Sequence, residues 1–317
     1  MQSLVSKIEI ADRMVRPAIR ETPLEYSHYL SVNTGCEVFL KMENVQVTGS
    51  FKARGALYKV KTLENDMREI ITASTGNHGL GVANALGITG RKGTIFLPTK
   101  ASTAKVDAIR SRNVPIEFHG DSGEITEVYA RKLATENNKV YISPYNDEDV
   151  IAGQGTIGVE LTRQLPDIDA VFVSIGGGGL ISGIGTYLKS VNPSIQVIGC
   201  LPENAPVMYE CIRAGKVIDV PENPTLSDGT AGGIDHDSIT FDICKQVVDE
   251  YVLVSEAEIM EAMRIALKKH HMVIEGSAGV AIASIMKSKD KFKGKKVVAV
   301  LCGCNVSDDV LKKMICE

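Results

Sequence analysis

The stretch Val171-Phe172-Val173-Ser174-Ile175-Gly176-Gly177-Gly178-Gly179-Leu180-Ile181-Ser182-Gly183 runs from an apolar strand through four glycines into an amphipathic helix. A strand buried on both faces and followed at once by a helix is the repeating unit of a parallel α/β fold. Glycines let backbone N–H groups converge without Cβ obstruction, and the helix start adds partial positive charge. Together they form an anion cradle, most often for phosphate. A plain tight turn would not require four glycines, each of which costs backbone entropy on folding.

The same grammar extends in both directions. The strands expected are Glu37–Lys41, Ile70–Ala73, Thr94–Leu97, Val140–Ser143, Ala170–Ile175, Gln196–Cys200, Tyr251–Val254 and Val297–Cys302. Between them lie helical spacings such as Thr103–Arg112, Ser122–Asn137, Leu180–Val191 and Glu256–His271. A chain of 317 residues exceeds the size at which one core stops growing, so two α/β domains with open parallel sheets are expected. Residues 45–145 read as a small domain, and 1–44 with 146–317 as a large one. The loop-like stretch Val220–Asp237 lines a site or links elements.

Composition narrows the function. Apolar residues make up 44% and charged residues 23%, with a formal net charge of −4, which gives no basic patch for nucleic acid. No Trp is present, so no platform for stacking bases stands out. No apolar run reaches membrane-span length, and the N-terminus lacks a signal-peptide core. Seven cysteines, an odd number, read as reduced thiols in a cytoplasmic protein. Cys302-Gly303-Cys304 has the wrong spacing for a zinc knuckle, and no metal is expected.

Two further motifs carry chemistry. In Thr48-Gly49-Ser50-Phe51-Lys52 a lysine sits between a polar turn and the apolar start of a helix. Partial burial there depresses the amine pKa, and a neutral amine is the nucleophile that forms Schiff bases with aldehydes. In Ala73-Ser74-Thr75-Gly76-Asn77-His78 a strand again leads into a helix. Ser74, Thr75 and the following N–H groups could hold a carboxylate, and Asn77 can donate to a phenolic or carbonyl oxygen. Alone, this loop also reads as an ordinary helix cap. A dinucleotide fingerprint G-x-G-x-x-G fails in both registers, at Ser182 and at Ile181. Glu203 nevertheless follows the next strand about where a ribose-binding acid would sit, which keeps an NAD-dependent oxidoreductase as an alternative of a different class.

Taken together, Ser50-Phe51-Lys52-Ala53-Arg54-Gly55-Ala56, the Ser74–His78 loop and Gly176–Gly179 resemble the fold-type II pyridoxal-phosphate enzymes. The threonine/serine dehydratases (ammonia-lyases) are the nearest in pattern, with serine racemase as a relative. Ile151-Ala152-Gly153-Gln154-Gly155-Thr156 and Val300-Leu301-Cys302-Gly303-Cys304-Asn305 also fall where the family has such segments. The resemblance implies a tryptophan synthase β-like architecture with pyridoxal 5'-phosphate in the cleft between two domains, and a homodimer. It also implies a small-molecule amino-acid substrate, with no nucleic-acid or membrane partner.

Residue by residue, the resemblance makes Lys52 the Schiff-base lysine and α-proton base, catalytic together with Thr75. Phe51, Asn77, Gly176, Gly177, Gly178, Gly179 and Cys302 become cofactor-binding; Ser74, Thr75, Asn77 and His78 become substrate-binding. His78 is a rival acid–base group but is read as packing, and His270-His271 as structural cations at a helix end. Glu275 matches an acidic position near the cofactor, and Asp228–Gly233 lines the substrate pocket. Cys302 stands where the family usually has a serine facing the pyridine nitrogen. A thiol supplies no carboxylate to keep that nitrogen protonated, which suits β-elimination. Leu201 and Val207 take positions where serine racemase has acidic metal ligands, and Thr126 replaces an arginine near the substrate site. The implied reaction is dehydration of L-threonine and/or L-serine to a 2-oxo acid and ammonia. Serine racemisation, or dehydration of hydroxyaspartate or another hydroxy amino acid, is the alternative within the class. No room is left after the last helix for a C-terminal regulatory domain.

Overall fold

Two parallel sheets divide the strands, as a computed structural model of residues 2–101 and 103–316 shows. Met1 and Glu317, the outer limits of the expected large domain, lie outside the described residues. In chain order the strands are β1 (Leu24–Tyr26), β2 (Glu37–Lys41), β3 (Ile70–Ala73), β4 (Gly93–Leu97) and β5 (Ile116–Phe118). They continue as β6 (Val140–Tyr141), β7 (Ala170–Ser174), β8 (Gln196–Pro202), β9 (Glu250–Val254) and β10 (Lys296–Val300). The helices are α1 (Gln2–Val15), α2 (His28–Thr34), α3 (Lys52–Thr62), α4 (Asn77–Thr89), α5 (Thr103–Arg110), α6 (Gly123–Glu136) and α7 (Glu148–Gln164). After them come α8 (Gly179–Val191), α9 (Val207–Ala214), α10 (Ile239–Val247), α11 (Glu256–His270), α12 (Gly276–Lys287) and α13 (Asp308–Cys316).

The six-stranded sheet has the order β1-β2-β10-β7-β8-β9, and the four-stranded sheet β5-β4-β3-β6. All pairings are parallel except β1 with β2 at one edge. Every strand anticipated from the sequence is found. β1 and β5 are additional; at three residues each they are too short for an alternation to show.

The faces of the small sheet follow the two-residue period of a strand. Ile70, Ile95 and Leu97 join a core with α1, α3, α4 and α7, while Ile71, Ala73 and Phe96 meet Ala130 and Ala134 of α6. The larger core surrounds β7, β8 and β10, whose residues are buried almost without exception. Each fully buried aliphatic side chain there contributes roughly 1.5–3 kcal/mol relative to exposure.

The long helix α7 explains the Ile151–Thr156 motif. Asp147 caps it by accepting from Asp149 N and Val150 N. A Cβ on Gly153 would stand 2.5 Å from Gly55 Cα, and one on Gly183 would stand 2.4 Å from Ile151 O. The backbones of α3 and α8 therefore both press directly on α7. These two helices begin with Lys52 and with the glycine loop, so α7 fixes the distance between the two motifs.

The sheet order also says where a site belongs. From β7 the chain proceeds outward through β8 and β9, whereas β10 lies on the opposite side of β7. From β3 it proceeds outward through β4 and β5, whereas β6 lies on the opposite side of β3. Each sheet thus has a switch point, where loops diverge and leave a crevice at the carboxyl ends of the strands. The glycine loop and Cys302 follow β7 and β10; Ser74 and Pro144 follow β3 and β6.

At the far end of α11, His271 adopts a left-handed φ of 55° and closes the helix. His270 Nε2 lies 3.0 Å from Ser27 Oγ, and burial lowers its pKa. The cationic helix-end reading of this pair is corrected for His270, which favours the neutral form.

Candidate active site

Both crevices open into one cleft of about 1360 Å³. It is lined by Phe51, Lys52, Ser74, Thr75, Asn77 and His78, by Gly176 to Gly179, and by Cys302. The structure therefore brings together the residues that the resemblance names for cofactor and substrate. Asp228–Asp237 forms one wall, so most of the loop-like stretch Val220–Asp237 lines the site.

Lys52 opens α3 and is held there by strand-like backbone contacts with the segment after β10. Ser50 bridges to Gly303, Phe51 N donates to Cys302 O at 3.0 Å, and Cys304 N donates to Gly49 O at 2.9 Å. The Lys52 amine donates to the carbonyl of Pro144 at 2.6 Å and lies 5.1 Å from the centre of the Phe51 ring. Burial lowers its pKa to about 8, against a smaller opposing pull from Cys302 and Glu275. The amine of the cofactor-free protein is accordingly expected to react with pyridoxal phosphate at a rate that climbs through a midpoint near pH 8. An ordinary lysine would show its midpoint above pH 10; stopped-flow absorbance between pH 6 and 10 distinguishes the two.

The starts of α3, α4, α8 and α12 face the same cleft without a side-chain cap, and of these α4 and α8 follow a glycine. α4 begins after Gly76 and α8 after Gly178, and neither has a capping side-chain hydrogen bond. By contrast α2, α6, α7 and α11 are capped by Ser27, Ser122, Asp147 and Ser255. Uncapped N–H groups at a helix start bind anions. Gly178 has φ of 84°, which favours glycine and turns the chain into α8. Around the loop, Thr240 Oγ1 donates to Gly177 O at 2.6 Å, and the Tyr145 ring lies against Gly177.

Asn77 is clamped from two sides. Its Nδ2 donates to both oxygens of Glu275 at 3.0 Å, and its Oδ1 accepts from Asn305 Nδ2 at 2.6 Å. Glu275 is buried, and it also accepts from Ser277 Oγ at 2.6 Å and Asn305 N at 3.2 Å. Burial raises its pKa, partly offset by the hydrogen bonds from Asn77 and Ser277. Cys302 Sγ lies 3.9 Å from Glu275 Oε1, and burial pushes the thiol up, leaving it protonated.

His78 is buried with Nε2 3.1 Å from the carbonyl of Ile142. Burial, then the neighbouring Lys52, lower its pKa to about 3, so the ring is neutral near pH 7. What His78 can offer a substrate is its backbone N–H in the first turn of α4. Thr126 does not stand in for a cleft arginine. Its side chain turns inward, donating to His119 O and Ser122 O at 2.7 Å, while Glu127 and Arg131 line the cleft. Leu201 and Val207 are buried in the large core. Among the described residues no group of three or more His, Cys, Asp or Glu could hold a metal. Glu203 pairs with Lys287 outside the cleft, which removes the ribose-binding reading.

Pro144, Tyr145, Asn305, Ser277 and the Arg131–Asp235 pair are among the cleft residues to which the sequence assigned no role. The first two follow β6 as Ser74 follows β3, a correspondence visible only once the strand order is known. Asn305 lay within the quoted segment after β10 but had no assigned partner.

The fold and cleft define a class: an α/β protein that places a lysine of depressed pKa, suited to Schiff-base chemistry, in one cleft with two glycine-led helix starts whose N–H groups could receive an anion. The model for the family described as pyridoxal-phosphate dependent enzyme matches residues 15–303, and the chain belongs to that family. It is 40% identical over 310 residues to the L-threonine ammonia-lyase of Thermotoga maritima, covering 97% of this chain and 77% of that relative. It is 41% identical over 305 residues to the catabolic L-threonine dehydratase of Staphylococcus aureus, covering 94% and 88%. Among solved structures, the processed threonine deaminase isoform 2 of Solanum lycopersicum superposes with a TM-score of 0.94 at 33% identity, covering 99% of this chain and 87% of that one. Maize serine racemase superposes with a TM-score of 0.91 at 30% identity, covering 98% and 95%.

The residues present fit pyridoxal phosphate. The uncapped start of α8 suits its phosphate, Lys52 its aldehyde, and the clamped amide of Asn77 keeps one N–H for a ring oxygen.

Proposed function

We propose that this chain is a pyridoxal-phosphate-dependent ammonia-lyase that dehydrates L-threonine and/or L-serine to a 2-oxo acid and ammonia. The observation that carries this reading is the Lys52 amine, with its pKa near 8, placed in one cleft with the uncapped starts of α4 and α8. The names of the relatives agree with it.

The cofactor, when bound, supplies the electron sink that makes a Cα–H bond acidic. The chain's own residues do the rest. Lys52 acts as the base at Nζ, and a pKa near the working pH is what a general base needs. The Pro144 carbonyl gives that nitrogen a fixed acceptor 2.6 Å away whenever it carries a proton. Ser74, Thr75 and the N–H groups opening α4 hold the substrate carboxylate, and Gly176–Gly179 the phosphate. Thr75 acts with Lys52, and Phe51 walls the amine.

Cys302 faces the ring nitrogen in this reading as a neutral thiol. Glu275, the carboxyl nearest it, is committed to Asn77, Ser277 and Asn305, so the nitrogen gains no acidic partner from it. Elimination, in which the leaving hydroxyl takes the electron pair, is favoured over reactions that need a long-lived carbanion. Cys302→Asp is expected to slow 2-oxo acid release and to move the absorbance of the bound cofactor. Unchanged kinetics and spectrum would remove this role from Cys302.

The burial of Leu201 and Val207 supports a lyase over a metal-assisted racemase. A small lobe of residues 45–145 against a large one of 1–44 and 146–317, a homodimeric assembly and a cytoplasmic setting belong to the same reading. The separate sheets support the first. No described helix is long and apolar enough to cross a membrane, and the cysteines are free.

The test is direct. Purified protein should be yellow, lose its band on borohydride treatment and carry the label on Lys52. Assayed against L- and D-serine, L-threonine and threo-3-hydroxyaspartate, it should release 2-oxo acid fastest from L-threonine or L-serine. A colourless protein that loads no pyridoxal phosphate, or one that releases no 2-oxo acid from any of the four, refutes the proposal.

A further inference from the structure

Two residues beyond Lys52, Arg54 is fully buried at the centre of an ionic cluster that the reaction itself does not use. Its Nε and Nη2 donate to Glu43 at 2.8 and 2.7 Å, and its Nη1 and Nη2 donate to Glu160 at 2.6 and 2.9 Å. Nη1 also donates to Thr156 Oγ1 at 3.0 Å, and Nη2 to Arg20 O at 3.3 Å. Lys41, equally buried, donates to Glu160 at 2.5 Å and to the carbonyl of Thr22 at 2.8 Å. Burial alone would lower the Arg54 pKa and raise that of Glu43; their mutual attraction outweighs it in both, so the pair is charged.

Such a cluster is poor value as a source of stability, because apolar residues of similar volume often serve a core equally well. What it supplies is direction. A guanidinium fork accepts carboxylates only in its own plane and at fixed angles. Here one carboxylate comes from the turn after β2 and the other from α7, so the first turn of α3 is fixed in both rotation and depth. Gly55 rests on Gly153, and Gln154 Oε1 accepts from Gly55 N at 3.1 Å, which holds the same turn from the α7 side. The cluster joins Arg54 and Lys41 to Glu43 and Glu160, and none of the four is among the causes of the Lys52 pKa shift.

We propose that Arg54, through Glu43 and Glu160, is the positioning residue for Lys52: it fixes the first turn of α3 and so aims the amine. The inference rests on the Schiff-base reading of Lys52 and adds to it a separate geometric requirement.

Arg54→Lys keeps the charge and loses the fork. In the folded variant, Schiff-base formation with added pyridoxal phosphate should keep its pH midpoint near 8. Its rate, and kcat, should fall by about 10- to 100-fold, the scale of a misplaced reacting group. KM should stay within about threefold, since the carboxylate and phosphate cradles are untouched. A folded variant with wild-type loading rate and kcat overturns the proposal. So does a loss of kcat that vanishes at low temperature or in a stabilising osmolyte, because a purely structural role would produce that. If Arg54→Lys does not fold, Thr156→Val, which removes one α7 contact of the guanidinium and no charge, is read in the same way. There a smaller drop in loading rate at an unchanged midpoint supports the proposal, and wild-type kinetics overturn it. A wild-type protein that forms no Schiff base at all fails the functional reading instead.

Discussion

Lys52→Ala is expected to lower activity by about 10⁴-fold, the upper end of what a positioned general base contributes, and at the same time to make the cofactor-free protein more stable at pH 7. The first effect follows from the loss of a cleft amine that is poised near neutrality. The second follows from linkage. The folded-state pKa of Lys52 is about 8 against an ordinary 10.5, so below pH 8 the folded protein must bury a charge that the unfolded chain keeps in water. At 1.36 kcal/mol per pH unit this costs about 3 kcal/mol. The hydrogen bond to Pro144 returns about 1 kcal/mol, leaving a gain of about 2 kcal/mol for the alanine variant. Between pH 8 and 10.5 the unfolded chain holds the extra proton, so stability of the wild type rises with pH across that window. The variant lacks this rise, so the two curves cross as the pH approaches 10.5, above which the wild type keeps the hydrogen bond's ~1 kcal/mol. Chemical denaturation of both cofactor-free proteins at pH 7 and 10 measures it. An alanine variant less stable than wild type at pH 7, with the same pH dependence, would show that Lys52 is not a strained amine.

The parts legible in the sequence were those with local causes. Gly176–Gly179 between an apolar strand and a helical spacing could be read because four glycines have few structural uses. Lys52 could be read as partly buried from its place between a polar turn and the apolar start of a helix. What stayed hidden were relations between distant segments. Nothing in Ser143-Pro144-Tyr145 announces that its carbonyl receives the Lys52 amine, since that depends on β6 pairing with β3. The buried cluster of Lys41, Glu43, Arg54 and Glu160 reads as surface charge by composition, because charged residues are almost always exposed unless paired. The direction of the Thr126 side chain was hidden for a different reason. A correct register on α6 still does not say which way a side chain turns, and its hydroxyl found acceptors inside the helix turn and at His119.

The two glycine-led helix starts should separate by mutation, one controlling the cofactor and the other the substrate. At the α8 loop, a Cβ on Gly177 would lie 2.3 Å from Cγ of Tyr145, so Gly177→Val must displace that ring. The ring does not move alone: the Tyr145 hydroxyl accepts from Asp235 N at 2.8 Å, and Asp235 accepts from Arg131 and Asn146, each at 3.0 Å. Gly177→Val thus distorts the phosphate cradle and loosens the wall opposite it. Pyridoxal phosphate affinity is expected to fall about 100-fold, equivalent to about 2.7 kcal/mol. Because Tyr145 is only partly buried and can swing outward, the core should remain folded. At the α4 start the situation is reversed. A Cβ on Gly76 meets nothing within 4 Å and would project into open space. Gly76→Ala should leave cofactor affinity within about twofold while raising KM for the amino acid, because the methyl group stands where the carboxylate is drawn to the N–H groups of the first turn. Cofactor titration by absorbance and steady-state kinetics on both variants give the comparison. If Gly76→Ala weakens the cofactor and Gly177→Val weakens only the substrate, the two cradles have been assigned the wrong way round.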